Sequence, residues 1–181
     1  GAIPNIADCF FETVSGFTTT GATILNTVEN LPKSILFWRA FTHWIGGMGV
    51  LVFLFMLTQI SEGNAMYIMR AEVPGPSVGK LAPRMRSNSL ILYGIYTAMT
   101  VIEAMILAVE GMPMFDAVTT AMSTAGTGGF SVRNAGIAAY GSPAVEWTVA
   151  VFMMLFGVNF NLYYLILFRR IRQVLASEEL K

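Results

Sequence analysis

Apolar and polar positions fall in blocks along this chain. A short apolar run, Ile6 to Phe11, leads into Glu12-Thr13-Val14-Ser15-Gly16-Phe17-Thr18-Thr19-Thr20-Gly21-Ala22-Thr23, rich in Thr and Gly and without charge after Glu12 until Glu29. Asp8 suits the start of a short helix ending near Thr13 or Ser15. Asn26 to Pro32 reads as a return to the surface. Ala40 to Ser61 is then a run of 22 residues without formal charge, His43 counted as neutral. At about 1.5 Å per residue it spans a hydrocarbon core of roughly 30 Å. Trp38 and Trp44 stand near its start, as interface aromatics do.

Residues 62–89 are polar and broken by Pro74-Gly75-Pro76, Gly79 and Pro83, which predicts a solvent-side connector. Ser87 to Val109 is the next span. Gly111-Met112-Pro113 turns the chain, Asp116 opens a second short helix, and Thr120-Ala121-Met122-Ser123-Thr124-Ala125-Gly126-Thr127-Gly128-Gly129-Phe130-Ser131 forms a second Thr/Gly stretch. An outer connector from Arg133-Asn134 through Pro143 precedes Trp147 to Phe168, again 22 residues without charge.

The two Thr/Gly stretches answer each other. A shift of 108 residues places Asp8 on Asp116, Ser15 on Ser123, Thr19 on Thr127 and Gly21 on Gly129. Few identities survive, but the order of parts is kept: acidic residue, short apolar helix, Ser, Thr/Gly loop. Internal repetition of this kind is usual in transport folds. Each helix is too short to span, and its C-terminal end carries partial negative charge that favours a cation. Non-helical backbone at bilayer depth is tolerated where it is buried in protein or lines a cavity. Rings of backbone carbonyls in such loops replace an ion's hydration shell in potassium filters.

Composition sharpens the class. Apolar residues make up 55% of the chain and charged residues 12%, against roughly 25% charged in soluble domains. A membrane protein is the leading reading. The net charge is zero, which gives no whole-chain case for nucleic acid. The single Cys9 excludes a disulfide framework. The first residue is Gly, and no basic leader precedes the apolar runs, so the sequence reads as a piece of a longer or processed chain.

Charge also orients the spans. Residues 62–89 and 169–181 together hold eight basic and four acidic residues, whereas the segments on the other side hold three basic (Lys33, Arg39, Arg133) and six acidic (Asp8, Glu12, Glu29, Glu110, Asp116, Glu146). The positive-inside rule places 62–89 and 169–181 in the cytoplasm and both loops outside. The outer acids serve either to concentrate cations at a pore mouth or as solvated caps.

Four further positions invite chemistry. Glu103 lies within a span, where an ionisable residue is by default a functional hypothesis; packing or a carboxylate reaching the outer interface is the competing reading. Asn159 and Asn161, with Gly157, suggest a bend, an interhelical hydrogen bond or, second, a pore lining. Gly46-Gly47-Met48-Gly49 suits close approach to the first loop or to another helix. His43 has no neighbouring Cys or carboxylate in sequence and is a poor metal ligand; a structural or interface role fits better. An intramembrane enzyme needs a nucleophile with a base or a metal cluster. One His, one Cys and no His-Glu-x-x-His motif give no support for one, and no catalytic residue or cofactor is expected.

At this point the residues resemble a known family. The stretch Glu12 to Thr23 resembles the first filter loop of the Trk potassium-uptake proteins, the TrkH group of the Trk/Ktr/HKT superfamily of cation transporters. Trp44-Ile45-Gly46-Gly47-Met48-Gly49 is similar to the start of that family's next helix. Arg70-Ala71-Glu72-Val73-Pro74-Gly75-Pro76 is similar to its cytoplasmic connector. Phe115-Asp116-Ala117, Ser123-Thr124 and Gly128-Gly129-Phe130-Ser131 resemble its second filter loop. The motifs occur in the family's order over nearly the whole chain.

The resemblance implies an all-α integral membrane fold of helix–pore loop–helix repeats, related to potassium-channel subunits, with four repeats around one pore. About one and a half would be present: residues 1–61 as the loop and second helix of repeat one, 62–89 as the cytoplasmic connector, 90–168 as a complete repeat two, and 169–181 as a basic cytoplasmic tail. By position, the resemblance implies filter carbonyls from Thr19, Thr20, Gly21, Thr127, Gly128 and Gly129. Gly at positions 21 and 129 implies potassium rather than sodium as the transported ion, since relatives with Ser there drift toward sodium. The second loop departs from its relatives at Ala125-Gly126-Thr127, where bulkier apolar residues are common. The family also implies residence in the cell (inner) membrane, a homodimer and a cytoplasmic nucleotide-binding regulatory ring of the TrkA type. Potassium uptake is the expected function. A sodium-permeable subunit or a non-conducting assembly subunit is the alternative.

Overall fold

The computed structural model describes residue 3, residues 5–49 and residues 85–167. The expected connector 62–84, most of the first long span beyond Gly49 and the basic tail lie outside the described residues. Those described form helices joined by loops: α1 (Ile6–Phe17), α2 (Lys33–Gly47), α3 (Met85–Val109), α4 (Met114–Ala125), a 3-10 turn (Gly136–Tyr140), α5 (Pro143–Gly157) and α6 (Phe160–Leu167).

The expected repeat is present to the residue. Helices α1 and α4 each have 12 residues, and their bounds differ by the same 108 positions that align the sequence stretches. Helices α2 and α5 each have 15 residues, offset by 110, so the two extra residues lie in the second outer connector. Helix α1 is longer than the composition suggested and is not capped by Asp8. Asn5 is the N-cap, its side-chain oxygen accepting from the Ala7 N–H at 3.1 Å, while Asp8 sits in the first turn, where the helix dipole favours a carboxylate. Pro32, Pro113 and Ser142 precede α2, α4 and α5. Pro143 occupies the first turn of α5, where its missing N–H costs nothing.

Helix α2 packs against both α1 and α4, and α3 packs against α4, α5 and α6. Three apolar clusters hold this arrangement. Leu107, Met112, Ala117, Val145 and Val149 join α3, α4 and α5. Val28, Leu36 and Val132 join the two connectors to α2. Tyr96, Ala125 and Phe156, with Trp44, Met48 and Phe160 against them, close the opposite end. Tyr96 is fully buried there and donates its hydroxyl to the Trp44 carbonyl at 2.9 Å.

The last apolar run is not one helix. Helix α5 stops at Gly157, Val158 takes an extended conformation (φ −74°, ψ 141°), and α6 restarts at Phe160. Tyr163 reaches across the break and donates to the Leu155 carbonyl at 2.7 Å, satisfying an acceptor near the helix end. The bend expected from Gly157 and Asn159 is this break. Leu90–Val109 is long and apolar enough to cross a bilayer. Its exposed side carries Val101, Ile102, Met105 and Val109, an apolar surface suited to lipid or to another helix rather than to water.

Candidate functional site

Both short helices end the same way. In α1 the Thr19 N–H bonds the Gly16 carbonyl at 3.1 Å, and the Thr20 N–H bonds Ser15 at 3.0 Å. In α4 the Thr127 N–H bonds Thr124 at 2.8 Å, and the Gly128 N–H bonds Ser123 at 3.2 Å. This is the Schellman closure, in which the residue after the cap adopts the left-handed conformation and is usually Gly. Here that residue is Thr: Thr19 has φ 54° and Thr127 has φ 52°. A β-branched residue there is a genuine outlier, costing on the order of 1–3 kcal/mol that surrounding structure must offset. Two positions on, Gly21 (φ 71°) and Gly129 (φ 82°) are left-handed again. The intervening Thr20 and Gly128 are not.

The two loops meet. A β-carbon at Gly21 would strike the Gly128 carbonyl oxygen, so glycine at 21 is required both by its backbone angle and by its neighbour. Thr20, Thr127 and Gly129 keep exposed surface, whereas Thr19, Gly21 and Gly128 are half-buried. Neither α1 nor α4 has a basic residue in its last turn, so no cationic side chain of those turns neutralises the dipole at the helix ends that face the loops.

Behind the loops lies a polar frame. Arg39 Nε meets Glu12 Oε2 at 3.0 Å with both side chains buried. The other Glu12 oxygen accepts from the Thr23 hydroxyl at 2.6 Å and the Ile24 N–H at 2.8 Å. Glu12 therefore ties the descending helix, the returning loop and α2 together. Ser15 donates to the Ala22 carbonyl at 2.6 Å and closes the first loop on itself. The Arg39 guanidinium stands 4.1 Å from the centre of the Phe130 ring, a cation–π contact that reaches the second loop.

Glycines of α2 admit both loops. A β-carbon at Gly46 would collide with the Phe17 carbonyl, and one at Gly47 would come within 2.7 Å of the Gly126 Cα and 2.5 Å of the Tyr96 hydroxyl. The packing surface expected for the first loop serves the second as well. His43, one turn earlier, is wholly buried; its Nδ1 lies 3.0 Å from the Ser123 hydroxyl, and its ring stacks on Phe130 at 4.0 Å.

Glu103 does not reach the outer interface. It is wholly buried in α3 beside Thr124 of the second short helix, and neither carboxylate oxygen has a hydrogen-bond partner. Asn159 sits exposed at the α5–α6 break, and Asn161 lies in the first turn of α6; neither is drawn to the loops by any hydrogen bond between described residues. The outer acids are mostly engaged. Glu12 is buried, Glu110 accepts from Thr148 at 2.7 Å, and Glu29 accepts from the Asn134 N–H at 3.3 Å. Asp116 accepts from the Tyr140 hydroxyl at 2.8 Å and pairs with Arg133 at 3.3 Å. Burial, reinforced by Asp116, pushes the Tyr140 phenol up to about 12, which keeps it a donor. These acids act as ties between segments rather than as a free anionic field.

The sequence model of the family described as "TrkH: Cation transport protein" matches residues 2–181. The chain belongs to the TrkH family. It is 40% identical over 163 residues to the Trk system potassium uptake protein TrkH of Salmonella typhimurium, covering 90% of this chain and 34% of that protein. The TrkH of Escherichia coli strain K12 is 39% identical over the same lengths and shares. The crystal structure of the potassium transporter TrkH from Vibrio parahaemolyticus superposes with a TM-score of 0.72 at 34% identity, covering 88% of this chain and 31% of that one. The chain thus spans about a third of the length of the curated relatives it matches. The all-helical repeats and the apolar span are those of a membrane protein of this family.

Proposed function

We propose that the chain forms part of a potassium-uptake pore, with Thr19, Thr20, Gly21, Thr127, Gly128 and Gly129 supplying carbonyls to one selectivity filter. The observation that carries this reading is the pair of strained loop closures. Two loops of one chain hold Thr and Gly in left-handed conformations at matching positions and touch at Gly21 and Gly128. Alternating left-handed residues with others turns successive carbonyls toward one side, which an extended strand does not do. Carbonyls so arranged replace an ion's water without binding it too tightly to leave. The uncompensated helix ends add negative potential.

On this reading residues 1–61 are the loop and second helix of one repeat, 62–89 a cytoplasmic connector, 90–168 a full repeat, and 169–181 a cytoplasmic tail of an inner-membrane protein. A second copy and a TrkA-like nucleotide-binding ring are its partners, as in the system its relatives are named for. Glu103 braces the second short helix from behind, and Asn159 and Asn161 serve the α5–α6 break rather than the filter. The test is rubidium uptake by the intact transporter in cells lacking other potassium uptake. Gly21→Ala and Gly129→Ala place a β-carbon on left-handed backbone, at about 1–2 kcal/mol each. Uptake should fall on the order of tenfold or more at unchanged membrane abundance, because small displacements of coordinating groups are heavily penalised. Wild-type uptake and selectivity in both variants would overturn the filter assignment and favour an assembly role.

A further inference from the structure

Glycine at 128 has a different cause from glycine at 21 and 129. Its φ is not left-handed, so the backbone accepts any L residue there. The same place in the first loop is held by Thr20, which carries a side chain in the open. The loop form itself therefore tolerates one. What forbids it at 128 is His43: the three nearest atoms to a β-carbon on Gly128 are all in the His43 ring, Cε1, Nδ1 at 2.6 Å and Nε2 at 2.7 Å.

We propose that His43 is a positioning residue for the second filter loop: its ring fills the space a side chain at 128 would need and holds the Gly128 peptide against Gly21. This rests on the filter reading above. The ring is itself fixed. It is wholly buried and stacks on Phe130 with an interplanar angle of 11°. Its Nδ1 shares a hydrogen bond with the Ser123 hydroxyl, and the Ser123 carbonyl accepts the Gly128 N–H at 3.2 Å. Ser123 thus holds the histidine with its side chain and the loop with its backbone. A β-carbon at Gly126 would lie 2.5 Å from the His43 carbonyl, so α2 and the loop are in contact on both sides of Thr127. On the far side the Gly128 carbonyl abuts Gly21. One peptide of the filter is therefore held between a buried imidazole and the neighbouring loop, and its place depends on the ring's thickness.

The test measures rubidium uptake, and its inhibition by sodium, in the intact transporter at matched membrane abundance. Gly128→Ala should lower uptake on the order of tenfold or more, by collision with the ring. His43→Ala should weaken discrimination against sodium by a similar factor, since the carbonyl loses its backing. The double variant G128A/H43A should recover uptake relative to G128A, because the new methyl group enters the vacated space. Gly129→Ala serves as the control: no atom lies near its β-carbon, so its backbone defect should not be relieved by H43A. A double variant no better than G128A, or an H43A transporter with wild-type sodium inhibition, overturns the proposal while leaving the filter standing. Should H43A fail to reach the membrane, Ser123→Ala keeps the ring and removes its hydrogen bond. Increased sodium inhibition in S123A supports the proposal, and none overturns it. Loss of the filter reading shows separately, as normal selectivity in both G21A and G129A.

Discussion

At the residue scale the decisive feature is threonine where glycine is expected. Thr19 and Thr127 close their helices in left-handed conformations, at a cost that glycine would avoid. Observed strain of this kind points to function. Thr127→Gly should leave thermal stability unchanged or raise it by up to about 1 kcal/mol, the relieved strain being partly offset by the greater freedom of the unfolded chain. It should nonetheless reduce rubidium uptake, because the hydroxyl and the fixed backbone are lost together. A destabilised variant with normal uptake would show that the threonine is there for the fold. The glycines at 21 and 129 and their threonine neighbours were legible in the sequence because the two stretches repeat. The left-handed threonines were not, since composition alone places left-handed backbone at glycine. His43 was legible only as a structural histidine; its partners Ser123 and Gly128 lie some eighty positions away, and no local signal joins them.

At the scale of elements, α2 works as a post between two loops. Its glycines admit Phe17 and Gly126, its His43 backs the second loop, and its Arg39 anchors the first through Glu12. The sequence predicted a packing surface at Gly46 and Gly47 but assigned Arg39 and Glu12 to the outer face as separate charges. Pairing across 27 positions is set by how α1 descends beside α2, which no periodicity reports. A buried pair broken on one side leaves an uncompensated charge, at about 3–5 kcal/mol. Arg39→Met should therefore lower the unfolding temperature of the detergent-solubilised protein markedly. Glu12→Gln combined with Arg39→Met should recover a large part of that loss. Equal loss in the single and double variants would mean that Arg39 matters through its stacking on Phe130 and not through the ion pair. The α5–α6 break was foreshadowed by Gly157 and Asn159, whereas the uncharged run around them concealed that α5 ends at Gly157.

At the scale of the molecule, the chain presents two neighbouring loops of one architecture. Their helices match in length and offset, and the connectors lock them together: Asn134 accepts from the Val28 N–H at 2.8 Å while its own N–H reaches Glu29. This register brings Gly21 against Gly128. A ring of such loops around an axis is the arrangement a carbonyl filter needs, and the chain covers about a third of relatives named for potassium uptake. The most direct measurement is the anomalous signal of thallium soaked into crystals of the intact transporter in place of potassium. The account predicts a peak coordinated by backbone carbonyls of both Thr19 to Gly21 and Thr127 to Gly129. Well-ordered loops with no peak between them, or a peak held by side chains elsewhere, would contradict it.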